Sequence, residues 1–112
     1  MIDEATFRRE SDQALEALKQ SLIAAEDDSG SFEFEGNNGV MNIIFENGSS
    51  KFVITPNTPI RQVWISAQAT SFKLDWSEIT HAFTLPKTGE DLKSLTQRLL
   101  REHLNDPTIT LP

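Results

Sequence analysis

Five carboxylates are the residues of this chain whose type and spacing best suit chemistry. Glu26, Asp27 and Asp28 follow one another, and Glu33 and Glu35 stand two residues apart after a short gap. Carboxylate oxygens suit hard cations such as Fe³⁺, Fe²⁺, Mn²⁺, Ca²⁺ and Mg²⁺. Because no histidine or cage accompanies them, we expect a cation site here to be exposed, weak and poorly selective. The alternative is that the five acids form only a solvated edge that keeps the protein soluble.

The excess of negative over positive charge lies in the first third of the chain. Residues 1–35 carry ten acidic and three basic side chains, whereas residues 36–112 carry seven of each, so the whole net charge of −7 lies before residue 36. This distribution disfavours nucleic acid, whose phosphates need Lys and Arg. It favours cations or a basic protein surface.

Other composition features narrow the class of protein. The absence of cysteine excludes disulfides, thiol catalysis and Cys-ligated metal centres within this chain. No apolar run is long enough to span a membrane. A cytoplasmic protein is therefore expected, with a mature mitochondrial matrix protein as the alternative.

Groups able to catalyse a reaction are sparse. The two histidines are expected in different elements, His81 in a strand and His103 on the solvated side of a helix, and neither has an obvious nucleophile. The run Gly36-Asn37-Asn38-Gly39 lacks the Lys-Ser/Thr of a phosphate loop and is interpreted as a hairpin turn. A general acid–base pair needs a pocket that separates two pKa values, which an exposed acidic edge does not provide. We expect a binding protein and no enzyme.

Three of the acids are positioned by the first helix. Apolar and small residues at helical spacing predict a helix from Asp3 to about Glu26, with one face toward a core. The run Asp27-Asp28-Ser29-Gly30 is expected to end it. Acids at a helix C-terminus oppose the macrodipole, and a local rule broken in this way suggests that they serve another purpose.

Six strands are predicted in the middle of the chain from alternating apolar residues bounded by turn residues. Glu33 and Glu35 share one face of the first strand. Asn47-Gly48 predicts a type I′ hairpin, and Pro56–Pro59 is expected to break the ladder. The last two strands are expected to be short. The predicted strands are Ser31–Glu35, Val40–Phe45, Lys51–Thr55, Arg61–Ser66, Phe72–Trp76 and Thr80–Leu85.

A second helix and a short tail complete the predicted fold. A leucine stripe predicts a helix from about Glu90 to Leu104, started by Thr88 or Gly89. In the tail, Ile109 and Leu111 either lie in a groove between the helices or fray. The fold class is α+β, a single domain over all 112 residues. Two helices pack on one face of a six-stranded (five to seven) antiparallel sheet, in the order α-β-β-β-β-β-β-α.

Trp64 is the second feature suited to binding. Val63 and Ile65 point to one face of their strand, whereas Gln62 and Trp64 point to the other. If the Val63 face packs on the helices, Trp64 stands on the open face of the sheet as a hot spot for a partner. The alternative is a buried indole, or one packed flat on its neighbours, and alternation alone leaves both open.

A series of short motifs runs through the predicted strands. They are Asn47-Gly48-Ser49, Phe52-Val53-Ile54, Thr58-Pro59, Arg61-Gln62-Val63-Trp64-Ile65-Ser66 and Asp75-Trp76. In this order they resemble the frataxin family, which includes the bacterial form CyaY. The resemblance runs from about Phe7 to Leu104 and implies the same helix–sheet sandwich.

The resemblance also implies a function. It implies weak Fe²⁺ and Fe³⁺ binding on an acidic ridge, and docking on the cysteine desulfurase and the scaffold protein of iron–sulfur cluster assembly, as regulator and iron chaperone. By position, the ridge is Glu26, Asp27, Asp28, Glu33 and Glu35, and the partner-binding residues are Asp27, Asp28, Arg61, Gln62 and Trp64. No tightly bound cofactor is implied. A monomer is expected, with an iron-dependent oligomer as the alternative.

Two other functions remain as alternatives to iron-dependent cluster assembly, and the sequence departs from the family pattern at two places. The alternatives are an interaction module without physiological iron transfer and, ranked lowest, a ferroxidase. Lys19, Gln20, Ile23 and Ala24 stand where the family usually has acids, so heavy iron loading is not expected. His81 stands where a second tryptophan is often found, and its use as an extra metal ligand is an alternative.

Overall fold

Two helices flank six successive strands along the chain, in the predicted order. The computed structural model describes residues 2–37, 39–45 and 51–112, so the predicted Asn47-Gly48 hairpin and the Asn47-Gly48-Ser49 motif lie outside the described residues. The elements are α1 (Glu4–Ser29), β1 (Phe32–Asn37), β2 (Val40–Phe45), β3 (Lys51–Asn57), a 3-10 turn (Thr58–Ile60), β4 (Gln62–Ala67), β5 (Thr70–Ser77), β6 (Ala82–Thr84) and α2 (Leu92–Leu104).

The sheet is an antiparallel meander in which each strand pairs with the next in sequence, from β1 at one edge to β6 at the other. Alternate side chains of the strands join the apolar faces of α1 and α2 in one buried cluster. Ile43, Ile54, Ile65 and Leu74, from four adjacent strands, are fully buried in it. The predicted α+β sandwich, with both helices on one face of the sheet, is confirmed.

The first helix is longer than its sequence predicts. Asp3 caps its start, since the carboxylate accepts a 2.7 Å hydrogen bond from the Thr6 N–H. The helix then continues through Ser29, so its predicted end near Glu26 is wrong. Gly30 ends it at φ +68°, a left-handed conformation that glycine adopts at little cost, and its N–H bonds to the Glu26 carbonyl at 2.9 Å. Asp27 and Asp28 therefore belong to the last helical turn.

The turn between β4 and β5 explains why β5 is long. Gln68 and Ala69 both have positive φ, 53° and 63°, as in the two-residue type I′ turn whose twist matches a hairpin. Because these residues carry no Asn-Gly signal, the sequence did not reveal the turn. The tight turn leaves β5 eight residues long, and the expectation of a short fifth strand is wrong.

The sixth strand is short, and the second helix starts late. His81, at φ 53°, lies in the turn before β6 rather than in the strand, and the Leu85 N–H bonds to the Glu90 carbonyl at 2.8 Å. The N-cap of α2 is Asp91, whose carboxylate accepts from the Ser94 N–H at 2.8 Å. The predicted start at Thr88 or Gly89 is therefore wrong. Neither α1 nor α2, the helices of the described residues, is long and apolar enough to cross a membrane.

The C-terminal tail lies against both helices. Ile109 and Leu111 are buried, with 4% and 5% of their surface exposed. The Leu111 N–H donates to Gln97 on α2 at 2.8 Å, and the Ser21 hydroxyl on α1 donates to the Pro112 carbonyl at 2.6 Å. Of the two alternatives for the tail, the groove between the helices is correct.

Candidate docking and cation-binding site

Trp64 stands on the face of the sheet that is turned away from the helices. Its strand neighbours Val63 and Ile65 are fully buried in the core, whereas Trp64 on the opposite face is half-buried. Both described helices pack on the other face, so Trp64 lies on the open face of the sheet and the alternative of an indole buried in the core is wrong. The register places Trp64 between Thr55 on β3 and Lys73 on β5.

Polar neighbours hold the indole in one orientation. The Trp64 N–H donates to the Gln62 side-chain oxygen at 2.9 Å, and the Gln62 amide donates to the Asp75 carboxylate at 2.9 Å. The Lys73 ammonium lies 4.9 Å from the centroid of the indole ring, within reach of a cation–π interaction. We call Gln62, Trp64, Lys73 and Asp75 the sheet-face cluster. The sequence singled out the first two; alternation along β5 together with the hairpin register could have found the others.

Arg61 lies apart from the sheet-face cluster. It precedes β4 at φ 57°, and its guanidinium donates to the carbonyls of Thr58 and Pro59 in the 3-10 turn. The same guanidinium lies 4.0 Å from the Glu4 carboxylate at the start of α1, and only 23% of the side chain is exposed. Of the predicted partner-binding residues, Arg61 therefore does not share the sheet face with Gln62 and Trp64, because its contacts hold it beside the 3-10 turn and the start of α1. Its role in partner binding stays a prediction.

Glu26 connects the end of α1 to the edge of the sheet. Its carboxylate accepts a hydrogen bond from the Phe34 N–H on β1, and the side chain is half-buried. Since β1 is an edge strand, this carboxylate satisfies a backbone donor that would otherwise face solvent or another strand. Glu26 thus has a structural task that its place in the sequence did not reveal.

Asp27 and Asp28 are exposed, but they do not share a direction with Glu26. Successive helical residues are about 100° apart, so the three acids fan out around the end of α1. Asp28 lines a cavity of about 200 Å³ beside the C-terminal tail, together with Asp106 and Thr108. The hydroxyl and N–H of Thr108 hold the pKa of Asp106 below its usual value, so that carboxyl is ionised at neutral pH.

Glu33 and Glu35 point away from the helices. Both are exposed on β1, opposite Ile44 and Asn42 of β2. They therefore share the outer face of the sheet with Trp64, three strands away. All five acids lie at the end of α1 or on the adjacent edge strand β1, but their side chains differ in direction: Glu26 contacts β1, Asp28 faces the tail and this pair faces outward. That they form one continuous ridge stays a prediction.

The dispersal of the acids limits what they can bind. Within residues 2–37, 39–45 and 51–112, no three Asp, Glu or His side chains converge as a metal site. A cation held by Asp27 and Asp28, or by Glu33 and Glu35, would have one or two protein ligands and would keep most of its water. Such a site binds hard cations weakly and exchanges them readily.

The histidines stand outside these carboxylate pairs. His81 is exposed, and its ring lies 6.2 Å from that of Trp76. His103 is half-buried, with its ring 4.0 Å from Phe45 and 5.3 Å from Phe52. The expectations of a strand position for His81 and a solvated one for His103 are wrong. His81 has a left-handed conformation in the turn before β6, and the rings of Phe45 and Phe52 cover His103.

Known proteins are similar to this chain in sequence. Residues 1–106 match the family model of the frataxin-like domain. The iron-sulfur cluster assembly protein CyaY of Pseudomonas aeruginosa is 32% identical over 89 residues, which cover 79% of this chain and 82% of the relative. The CyaY of Azotobacter vinelandii is 28% identical over 95 residues, covering 84% and 86%.

A solved structure agrees on the fold. The frataxin of Psychromonas ingrahamii, studied for stability modulation within the CyaY family, matches with a TM-score of 0.75 over 99% of both chains, at 18% identity. Agreement over whole chains at such low identity indicates that the helix–sheet sandwich is shared. Together with the family model and the relatives, it shows that this chain belongs to the frataxin/CyaY family.

Proposed function

We propose that this protein is an iron-binding regulator and iron chaperone of iron–sulfur cluster assembly, and that it docks on the cysteine desulfurase–scaffold complex. The observation that carries the proposal is the sheet-face cluster, an oriented indole on a face that neither described helix covers. The relatives are named iron-sulfur cluster assembly proteins, and this name is the reason why the proposal places the protein in cluster assembly. The protein acts by binding its partners and iron, and it catalyses no reaction.

The sheet-face cluster has the properties of a protein-binding hot spot. Tryptophan is enriched among residues that dominate interface energies. Gln62 and Lys73 already hold the indole of Trp64, so little side-chain freedom remains to be lost on docking. The excess acids of the first 35 residues would steer the protein toward a basic partner surface.

Iron is the cargo in this proposal. Asp27 with Asp28, and Glu33 with Glu35, supply exposed oxygen ligands that suit Fe²⁺ and Fe³⁺. One oxygen of Glu26 accepts the hydrogen bond from Phe34, and the other is free of that bond and can contribute to cation binding. Few protein ligands and much retained water make binding weak, which suits an ion that is to be handed on.

The docking surface is tested by measuring the affinity of a purified cysteine desulfurase for variants of this protein. Trp64→Ala should weaken binding at least about tenfold, as expected for loss of a hot-spot tryptophan, while its circular dichroism spectrum stays that of the wild type. Asn42→Ala, a half-buried position on the same face of β2, is the matched control and should bind normally. Equal affinities for wild type and Trp64→Ala would overturn the proposed docking surface.

The acidic end of α1 is tested by charge reversal. The double variant Asp27→Lys, Asp28→Lys should bind both Fe²⁺ and the desulfurase more weakly, and added salt should weaken docking of the wild type. The double variant Asp12→Lys, Glu16→Lys, at exposed positions of α1 away from its end, makes the same change in net charge and is the control. If the desulfurase binds the reversed variant as well as the wild type, the end of α1 has no part in docking.

A second candidate is an interaction module whose iron binding is incidental. The dispersed carboxylates favour it, because they form no preorganised site within the described residues. Desulfurase affinity measured with Fe²⁺ and with a chelator separates the two functions. Linkage requires that iron coupled to docking changes the affinity, whereas an interaction module binds equally in both conditions.

A further inference from the structure

A recess of about 320 Å³ lies on the helix side of the sheet, between α1, the start of α2 and β6. Its apolar lining includes Ala14 and Ala17 of α1, whose small side chains leave room that larger ones would fill, and the indole of Trp76. The volume is near the lower limit of known ligand pockets, so it fits one side chain rather than a large molecule.

The rim of this recess is negative. Glu10 and Asp91 line it, and the Asp91 carboxylate is ordered by its hydrogen bond to the Ser94 N–H. Lys93 also lines the recess, but its ammonium donates to the Pro112 carbonyl at 3.0 Å. Glu10 also forms a 3.5 Å ion pair with the exposed Arg9, a type of surface contact that contributes little energy. The recess therefore offers two carboxylates beside an aromatic wall.

We propose that this recess receives an arginine side chain of a partner protein. A guanidinium is planar, stacks on an indole and pairs with carboxylates, so Trp76, Glu10 and Asp91 together match it better than they match a lysine. The arginine stem would lie on Ala14 and Ala17, since long cationic side chains cover apolar surface with their methylenes.

The surroundings of the recess favour a protein as the source of the arginine. Ile79, in the turn between β5 and β6, is 94% exposed and stands two residues before His81, which lines the recess. Because Ile79 is close in sequence to a lining residue, its exposed side chain can offer an apolar contact to the residues that flank the arginine. This docking surface is separate from the sheet-face cluster and does not rest on the proposed function.

The test uses the whole protein labelled with ¹⁵N and two matched probes at constant ionic strength. N-acetyl-arginine amide should shift the indole N–H signal of Trp76 and the amides of Ala14 and Ala17, with a dissociation constant in the millimolar range. N-acetyl-citrulline amide has the same shape without the charge, and it should bind at least about fivefold more weakly. Equal shifts with both probes, or arginine-probe shifts confined to other surfaces, would overturn the proposal.

Variants assign the binding to the recess. The double variant Glu10→Gln, Asp91→Asn removes both charges while asparagine retains the helix cap, and it should weaken the arginine probe about fivefold. Ala17→Leu should block the recess without loss of helix propensity. The double variant Asp12→Asn, Glu16→Gln removes the same two charges at exposed positions outside the recess, and it and Trp64→Ala should bind the probe normally. Undiminished binding to the double variant and to Ala17→Leu would contradict an arginine site here.

Discussion

Replacing Asp27 and Asp28 together by asparagine should make the protein more stable, although both acids are proposed to bind cations and a partner. They lie in the last turn of α1, where the unpaired carbonyls form the negative end of the helix dipole. The sequence of that turn, Glu26–Ser29, contains no basic residue to offset them. Asparagine has nearly the shape and helix propensity of aspartate, so the double change mainly removes charge.

The size of this gain follows from the helix dipole. Each unfavourable charge at a helix end costs about 0.3–1 kcal/mol at low salt, so the double variant should gain about 0.6–2 kcal/mol in the free energy of unfolding. For a domain of this size that corresponds to a rise of about 2–8 °C in Tm.

Urea unfolding followed by circular dichroism measures the difference. The gain should be present at low salt and small in about 1 M NaCl, where the Debye length is about 3 Å. Asp12→Asn, an exposed position in the middle of the same helix, is the control and should change stability little. A destabilised double variant, or a gain that persists undiminished at high salt, would refute the electrostatic reasoning.

Three further predictions concern the contacts around the proposed site. Glu26→Ala should destabilise the protein by about 1–3 kcal/mol in urea unfolding, because the Phe34 N–H loses its charged acceptor. Leu111→Ala should cost about 2–4 kcal/mol and lower Tm, because the side chain is 5% exposed between the helices. Glu90→Gln should flatten the loss of stability in acid. Hydrogen bonds from Arg98 hold the pKa of Glu90 below its usual value. Their stabilisation is therefore present above the unfolded pKa of about 4.3 and is lost as the pH falls through the lower folded pKa. Urea unfolding at a series of pH values from about 6 to about 3 measures this slope.

Each of these predictions has a control or a contradicting result. A Glu26→Ala variant as stable as the wild type would mean that water replaces the carboxylate at no cost. Thr110→Ala, the exposed neighbour in the tail, should have little effect, and an equal loss there would contradict the burial argument for Leu111. Identical acid slopes for the wild type and Glu90→Gln would show that the pair with Arg98 does not contribute to pH dependence.

Periodicity in the sequence was sufficient to predict the architecture. Alternation gave the bounds of β2 correctly, and helical spacing gave both helices and the order of elements. The errors in the predicted element bounds lie at turns, where backbone conformation decides the bounds. The turn residues Gln68 and Ala69 adopt left-handed conformations although neither is a glycine. Likewise, the end of α1 depends on Gly30 reaching φ +68°, not on the acids before it.

The candidate site was predicted less completely, because its contacts join distant segments. Glu26 bonds to the Phe34 N–H, and Arg61 reaches Glu4 at the far end of the chain's first helix. Such contacts depend on how α1 lies on the sheet, which local pattern does not specify. The face occupied by Trp64 likewise required knowledge of which side of β4 the helices cover.

Docking through the sheet face is tested most directly at the side chain of Trp64. The protein contains two tryptophans, so its ¹⁵N–¹H spectrum should carry two indole signals, and Trp64→Phe assigns them. As cysteine desulfurase is added in sub-stoichiometric amounts, we expect the Trp64 indole signal to shift or broaden in proportion to the fraction bound. A Trp64 signal that stays unchanged while the desulfurase binds would show that docking uses another surface.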